Sequence, residues 1–183
     1  FSTRSNPARL MAVDWVSSQG FLVTVPKECK DILQSSLLES GLQDSTDEMI
    51  NYLRLQQGWP LGNDIPEKTL PQEVGLNARA ISLTKGCYLG QETVARLDAL
   101  GHVNRRLVVL AVEKGGSMEV GDSVASNDEV VSRVTSVGCL GNQAVSLAMT
   151  IIPLKSMQQK SNLTVAGKAA NVVSPVLLDT LMT

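Results

Sequence analysis

The chain is poor in aromatic residues, with two Trp, two Tyr and two Phe among 183 residues. Any core must therefore be built from Leu, Val, Ile, Ala and Met. It has one histidine, His102, and three cysteines far apart, Cys29, Cys87 and Cys139. An odd, scattered set argues against a disulfide scaffold and makes no zinc-ligand spacing, so no metal site is expected. A reducing compartment is the simple reading of such cysteine usage. No stretch of 18 apolar residues occurs, so no membrane span is expected. Net charge is -2 and no long basic run appears, which gives no basis for a nucleic-acid surface.

What is present is a globular composition, 43% hydrophobic and 19% charged. Residues 8–16 and 21–25 read as two strands about a turn at 17–20, a candidate hairpin. Pro26 suits a helix start, and Ile32, Leu33, Leu37 and Leu38 recur at helical spacing before a stop at Gly41. Ser45 with Glu48 has the pattern of a capping box, and the helix after it is expected to bury Met49, Ile50 and Leu53 on one side, with Gln57 or Leu55 as the further candidates. Residues 59–78 are rich in turn formers and read as a structured loop. Ala80 to Leu83 reads as a short strand, and a helix is expected from Thr93. Beyond Gly101, apolar and β-branched runs at 107–112, 123–125, 130–137 and 144–149 are broken by glycines and by Asn127-Asp128. Short strands at that spacing suggest a small antiparallel barrel within 101–152. Residues 153–183 form a less readable tail: a polar linker over 155–162, then an apolar stretch at 172–181 able to pack or to add a strand.

The densest chemistry lies in residues 85–96. An amine, a thiol, a phenol, an amide, a carboxylate and a guanidinium stand within twelve positions: Lys85, Cys87, Tyr88, Gln91, Glu92 and Arg96. Gly86 and Gly90 permit a tight turn or a close approach of backbone to ligand. At a helix start Glu92 is favoured by the dipole, and Arg96, four residues on, can pair with it. A cysteine close to Lys85 and to a helix N-terminus can be a reactive thiolate. The plainer readings are a structural turn and a small packed thiol. Cys–His catalysis has only His102 to draw on. A second cluster spans Leu53 to Pro60 and Asn63 to Ile65, where Arg54 could hold a carboxylate through two parallel hydrogen bonds or sit in an ordinary salt bridge.

The string Lys85-Gly86-Cys87-Tyr88-Leu89-Gly90-Gln91-Glu92, with Arg96, resembles the signature of the YgfZ-type folate-binding proteins at every position. Upstream, Arg54-Leu55-Gln56-Gln57-Gly58, Gly62 to Ile65, and Pro71, Glu73 and Leu76 resemble the glycine cleavage T-protein, an aminomethyltransferase. The resemblance covers roughly residues 8–150. It implies an α+β architecture: a partial α/β folate-binding segment over 1–100, followed by a small antiparallel C-terminal β-barrel over 101–152. It also implies tetrahydrofolate as cofactor, with Arg54, Lys85, Tyr88, Gln91, Glu92 and Arg96 toward the folate and Cys87 as the reacting residue. Iron–sulfur client or assembly proteins follow as partners, and a chloroplast stroma or mitochondrial matrix as location. A whole family member has a further N-terminal portion, so the folate-binding segment here is expected to be partial. Acidic positions of the T-protein's Gly-Glu-Asp-Gly-Phe-Glu segment are Ser18, Gln19 and Leu22 here, which disfavours aminomethyl transfer. The alternatives are that one-carbon transfer and a non-catalytic interaction module.

Overall fold

The computed structural model describes residues 8–16, 19–76, 81, 82, 84–101, 103–113, 117–141, 144–157 and 162–174. His102, both ends of the strand expected at 80–83, the first seven residues and those beyond 174 lie outside the described residues. Strands β1 (Arg9–Val13) and β2 (Gly20–Thr24) form the expected hairpin, an isolated two-stranded antiparallel sheet. A short 3-10 turn leads into α1 (Lys30–Glu39), and α2 spans Asp47–Gln56. The cap of α2 is one residue later than the sequence suggested: the Thr46 hydroxyl, not that of Ser45, accepts from the Met49 N–H at 3.2 Å. Its buried face also differs. Leu55, one of the two further candidates, is buried, but so are Tyr52 and Arg54, while Met49 and Leu53 are only partly buried and Ile50 is exposed. The reason is the surface that α2 meets. Gly138 lets the helix approach so closely that a Cβ there would lie 2.8 Å from Leu55 Cδ1 and 3.2 Å from Tyr52 Cα.

The single turn α3 (Pro71–Val74) starts with Pro at its first position and closes on Gly75 in the left-handed region, φ 79°. Helix α4 spans Gln91–Leu100. The sheet follows: β3 (Arg105–Glu113), β4 (Ser123–Ser126), β5 (Glu129–Arg133), β6 (Ser136–Gly138), β7 (Val145–Pro153), β8 (Leu163–Val165) and β9 (Lys168–Ser174). Its order is β5-β4-β8-β9-β3-β7-β6, and every pairing is antiparallel. The sheet curls. Edge strand β5 comes back over β7, where the hydroxyls of Ser132 and Thr150 meet at 2.7 Å and Thr150 donates to the Arg133 carbonyl at 2.8 Å. The result is a curled half-barrel. It does not end at 152, because β8 and β9 are inserted between β4 and β3.

Strand period two makes β3 serve two cores. Val108, Leu110 and Val112 point into the curl, with Val124, Val134, Ile152 and Val165. Leu107 and Val109 point outward, with Leu147, Met149 and Ile151, and are covered by Tyr52 and Leu55 of α2 and Val74 of α3. The half-barrel thus carries α2 and α3 on its back, and α3 in turn positions α4.

Candidate functional site

The 84–96 segment is built around the start of α4. Gly90 is its N-cap, at φ 85°, a left-handed conformation that a side chain would strain. The Gln91 N–H donates to the Tyr88 carbonyl at 3.2 Å, and the Val94 N–H to the Gly90 carbonyl at 3.1 Å. The preceding loop is turned so that Lys85 Nζ lies 4.4 Å from the centroid of the Tyr88 ring, a cation–π contact. The Lys85 N–H donates to Ser82 Oγ at 3.3 Å. Cys87 stands between the two in sequence and is exposed, with its thiol free. Leu89 is fully exposed at the tip.

Gln91 and Glu92 occupy the first turn of α4, as expected from the sequence. Glu92 and Arg96 are both exposed, and no ion pair joins them among the described residues. Tyr88 is half-buried, and its hydroxyl oxygen is buried with no hydrogen-bond partner. Gln72 of α3 holds α4 in place, its Nε2 donating to the Val94 carbonyl at 2.9 Å, while its Oε1 is buried and unpartnered. Glu73 fastens α3 to the sheet. Its Oε2 accepts from the Leu70 N–H at 2.9 Å, and its Oε1 from Arg105 Nε at 2.8 Å. That hydrogen bond to Glu73 is the main reason the Arg105 pKa is raised further.

Six of the seven candidate residues therefore share one loop and helix start. Arg54 does not join them. The residue is 4% exposed, and its guanidinium is turned toward the sheet. Nε donates to Asn51 Oδ1 at 2.9 Å, one terminal nitrogen to the Trp59 carbonyl and Asp64 Oδ2, both at 3.0 Å, and the other to Ser136 Oγ at 2.8 Å. Asp64, 0% exposed, also accepts from the Leu61 N–H at 2.9 Å and the Thr135 hydroxyl at 2.6 Å. With its donors spent inside the chain, Arg54 is a tie between α2, the 61–65 turn and β6, and offers no fork to a ligand carboxylate. Asp64 is the partner that sequence reasoning missed. Its place in Gly62 to Ile65 was visible, but nothing local named Arg54 or Thr135 as its neighbours.

Two cavities are lined by described residues. One, of about 410 Å3, sits at the end of the hairpin against Ala12, Val13, Asp14, Gln19, Gly20 and Phe21. The other, about 160 Å3, lies on the half-barrel by Ser126, Asn127, Glu129 and Lys155. Neither is lined by Cys87. Among the described residues no group of three His, Cys, Asp or Glu could hold a metal ion, and no helix is long and apolar enough to cross a membrane.

The fold recurs in a known structure. The glycine cleavage system aminomethyltransferase T from Bartonella henselae superposes with a TM-score of 0.75 over 90% of this chain and 48% of its own, at 22% identity. No family model matches the chain. An aminomethyltransferase from Rippkaea orientalis is 29% identical over 150 residues, 81% of this chain and 40% of its own. A protein from Colwellia psychrerythraea named tRNA-modifying protein YgfZ is 48% identical over 62 residues, 33% of this chain and 19% of its own. The chain is a relative of the YgfZ and aminomethyltransferase proteins. An Arabidopsis thaliana protein provisionally named a chloroplastic transferase is 28% identical over 165 residues, 88% of this chain and 37% of its own. The chain thus spans less than half the length of these relatives. In this YgfZ and aminomethyltransferase relative, the Lys85–Glu92 string is an exposed loop capped by Gly90, and the Gly62–Ile65 string is a surface turn anchored by its one buried residue, Asp64.

Proposed function

We propose that this chain belongs to a folate-dependent factor in the assembly or repair of iron–sulfur clusters, working through Cys87. The observation that carries the reading is the exposed Cys87, its thiol free, presented on a glycine-capped loop at the start of α4, in sequence between a lysine and the tyrosine on which that lysine stacks. The donor set fits a reduced folate in part. Lys85 and Arg96 are exposed cations able to take the carboxylates of a folate glutamate tail. Gln91 and Glu92 offer an amide and a carboxylate to a pterin edge. The buried Tyr88 hydroxyl is an unused donor beside them. Arg54 lies outside this set. One thiol cannot hold a cluster by itself, since clusters generally take four ligands; a transient or shared ligation by Cys87 fits. The chloroplastic name of the Arabidopsis relative supports an organellar location.

Titration with tetrahydrofolate, read through intrinsic tryptophan fluorescence, is expected to show saturable binding by a protein containing this chain. Cys87→Ala should keep the fold and the binding, yet lose the ability to restore an iron–sulfur enzyme in cells lacking their own YgfZ-type protein. Undiminished restoration by that variant would remove Cys87 from the mechanism. One-carbon transfer is the second reading, favoured by the names of the aminomethyltransferase relatives; production of methylenetetrahydrofolate from an aminomethyl donor would establish it.

A further inference from the structure

The smaller cavity, of about 160 Å3, is built where separate pieces of the half-barrel meet. The β4–β5 turn supplies Ser126, Asn127 and Glu129, and β5 supplies Val131. The 3-10 turn Leu154–Met157, which follows β7, supplies Lys155 and Ser156. The β4–β5 turn is held firmly. The Asn127 N–H donates to the Asn162 carbonyl at 3.0 Å, and its Oδ1 accepts from the Asn162 N–H at 2.9 Å. With Oδ1 engaged, the amide nitrogen of Asn127 remains to donate.

Ser126 and Ser156 are only 8% and 3% exposed, yet neither hydroxyl has a hydrogen-bond partner among the described residues. Buried hydroxyls are normally hydrogen-bonded, and both of these line the cavity. Two exposed charges of opposite sign, Glu129 and Lys155, line it as well. No ion pair joins them among the described residues.

We infer that this cavity binds a small zwitterion, a molecule carrying a carboxylate and an ammonium group close together, as an α-amino acid does. Size sets the class. The cavity has room for roughly five waters at ~30 Å3 each, which suits a molecule of about six non-hydrogen atoms. Sites for drug-sized ligands run to ~300–1,000 Å3, so a folate is excluded here. Charge sets the polarity. The ligand carboxylate takes the Lys155 ammonium and the O–H groups of Ser126 and Ser156, and the ligand ammonium donates to the Glu129 carboxylate. A simple anion would face Glu129, and a simple cation would face Lys155, each an unfavourable like-charge contact. Val131 offers an apolar wall to a short side chain. Cys87 does not line this cavity, so the site is independent of the folate reading.

The test titrates a protein containing this chain with L-alanine and follows backbone amide shifts by NMR. Saturable shifts are expected at residues 126–129 and 155–156, and none at 85–92. Acetate and methylammonium, each carrying half of the charge pattern, should bind at least tenfold more weakly, the effect of losing one charge-assisted pair. Glu129→Gln and Lys155→Met, both at exposed positions outside the two cores, should weaken L-alanine about tenfold and leave the unfolding midpoint unchanged. Ser156→Ala deletes a hydroxyl that bonds to nothing among the described residues and should weaken binding about fivefold. Absence of saturable shifts at these amides overturns the inference. So does acetate binding as tightly as L-alanine, which would assign the cavity to a simple anion, and so does unaltered affinity in Glu129→Gln and Lys155→Met.

Discussion

The Arg54 guanidinium and the Asp64 carboxylate meet at 3.0 Å in a space closed to water, with side-chain exposures of 5% and 0%. Each is also hydrogen-bonded elsewhere, Arg54 to Ser136 and Asp64 to Thr135, so the pair rivets the 61–65 turn to the sheet. Removing one member strands the other charge, which costs about 3–5 kcal/mol. Asp64→Ala is therefore expected to lose that much in urea denaturation. Asp64→Ala with Arg54→Met should recover part of the loss; a double variant as unstable as the sum of the singles would show that the two charges are not coupled.

Gly138 sets a second prediction. An alanine there would press on Leu55 Cδ1 at 2.8 Å and on the Tyr52 backbone at 3.2 Å. The leucine end can turn aside but the backbone cannot. Gly138→Ala should destabilise by about 1–3 kcal/mol, in line with overpacked cores, and Leu55→Ala should relieve only part of it. The midpoint of chemical unfolding measures both.

Tyr52 gives a pH dependence. Burial chiefly, and the nearby Cys139 thiol second, raise its pKa above the ordinary 10.0. A raised folded pKa contributes stability that is complete below the unfolded value and fades as pH climbs through the folded one. Stability should therefore decline from about pH 10 upward by this route. Tyr52→Phe cannot ionise and should flatten that decline. At neutral pH it should cost little, because the hydroxyl's hydrogen bond to the Val145 carbonyl is long, 3.5 Å. Unfolding curves at pH 7 and pH 10.5 distinguish the two variants.

Tyr88→Phe separates binding from folding. Its hydroxyl is buried without a partner, and deleting an unsatisfied hydroxyl is neutral or stabilising by up to about 1 kcal/mol. The variant should unfold no earlier than the parent, while tetrahydrofolate affinity falls about fivefold or more if the phenol donates to the pterin, the loss of a hydrogen bond worth about 1 kcal/mol. Unaltered affinity would mean that the phenol makes no contact with the ligand.

Much of this architecture could be read from residue patterns, for reasons that differ element by element. The Asn127-Asp128 turn was legible because both residues tolerate the left-handed region, and they adopt it at φ 51° and 68°. Gly90 and Gly101 bracket α4, so its extent was nearly visible, although it begins two residues before the expected Thr93. The β8–β9 hairpin was hidden. Its turn is Ala166-Gly167, with Ala166 forced to φ 49°, and β8 has only three residues. An alanine in that conformation is dictated by long-range pairing and carries no local signal. Tyr52 and Arg54 escaped as the buried side of α2 for a similar cause, since a glycine 83 to 86 residues downstream of Leu55 and Tyr52 decides which face can approach the sheet. At the candidate site, the loop's residue types were evident, whereas the fate of Arg54 depended on Asp64 and Ser136, which sequence distance conceals.

The insertion of β8 and β9 between β4 and β3 has a consequence for how the molecule is made. Strand β3 leaves the ribosome first but finds one of its two neighbours only when Lys168–Ser174 has been synthesised. Until then both β3 and β4 present open ladders. Formation of the half-barrel is thus postponed until β9 has been made, with the slow kinetics of pairings distant in sequence, and a nascent chain halted near residue 160 would be a natural substrate for chaperones.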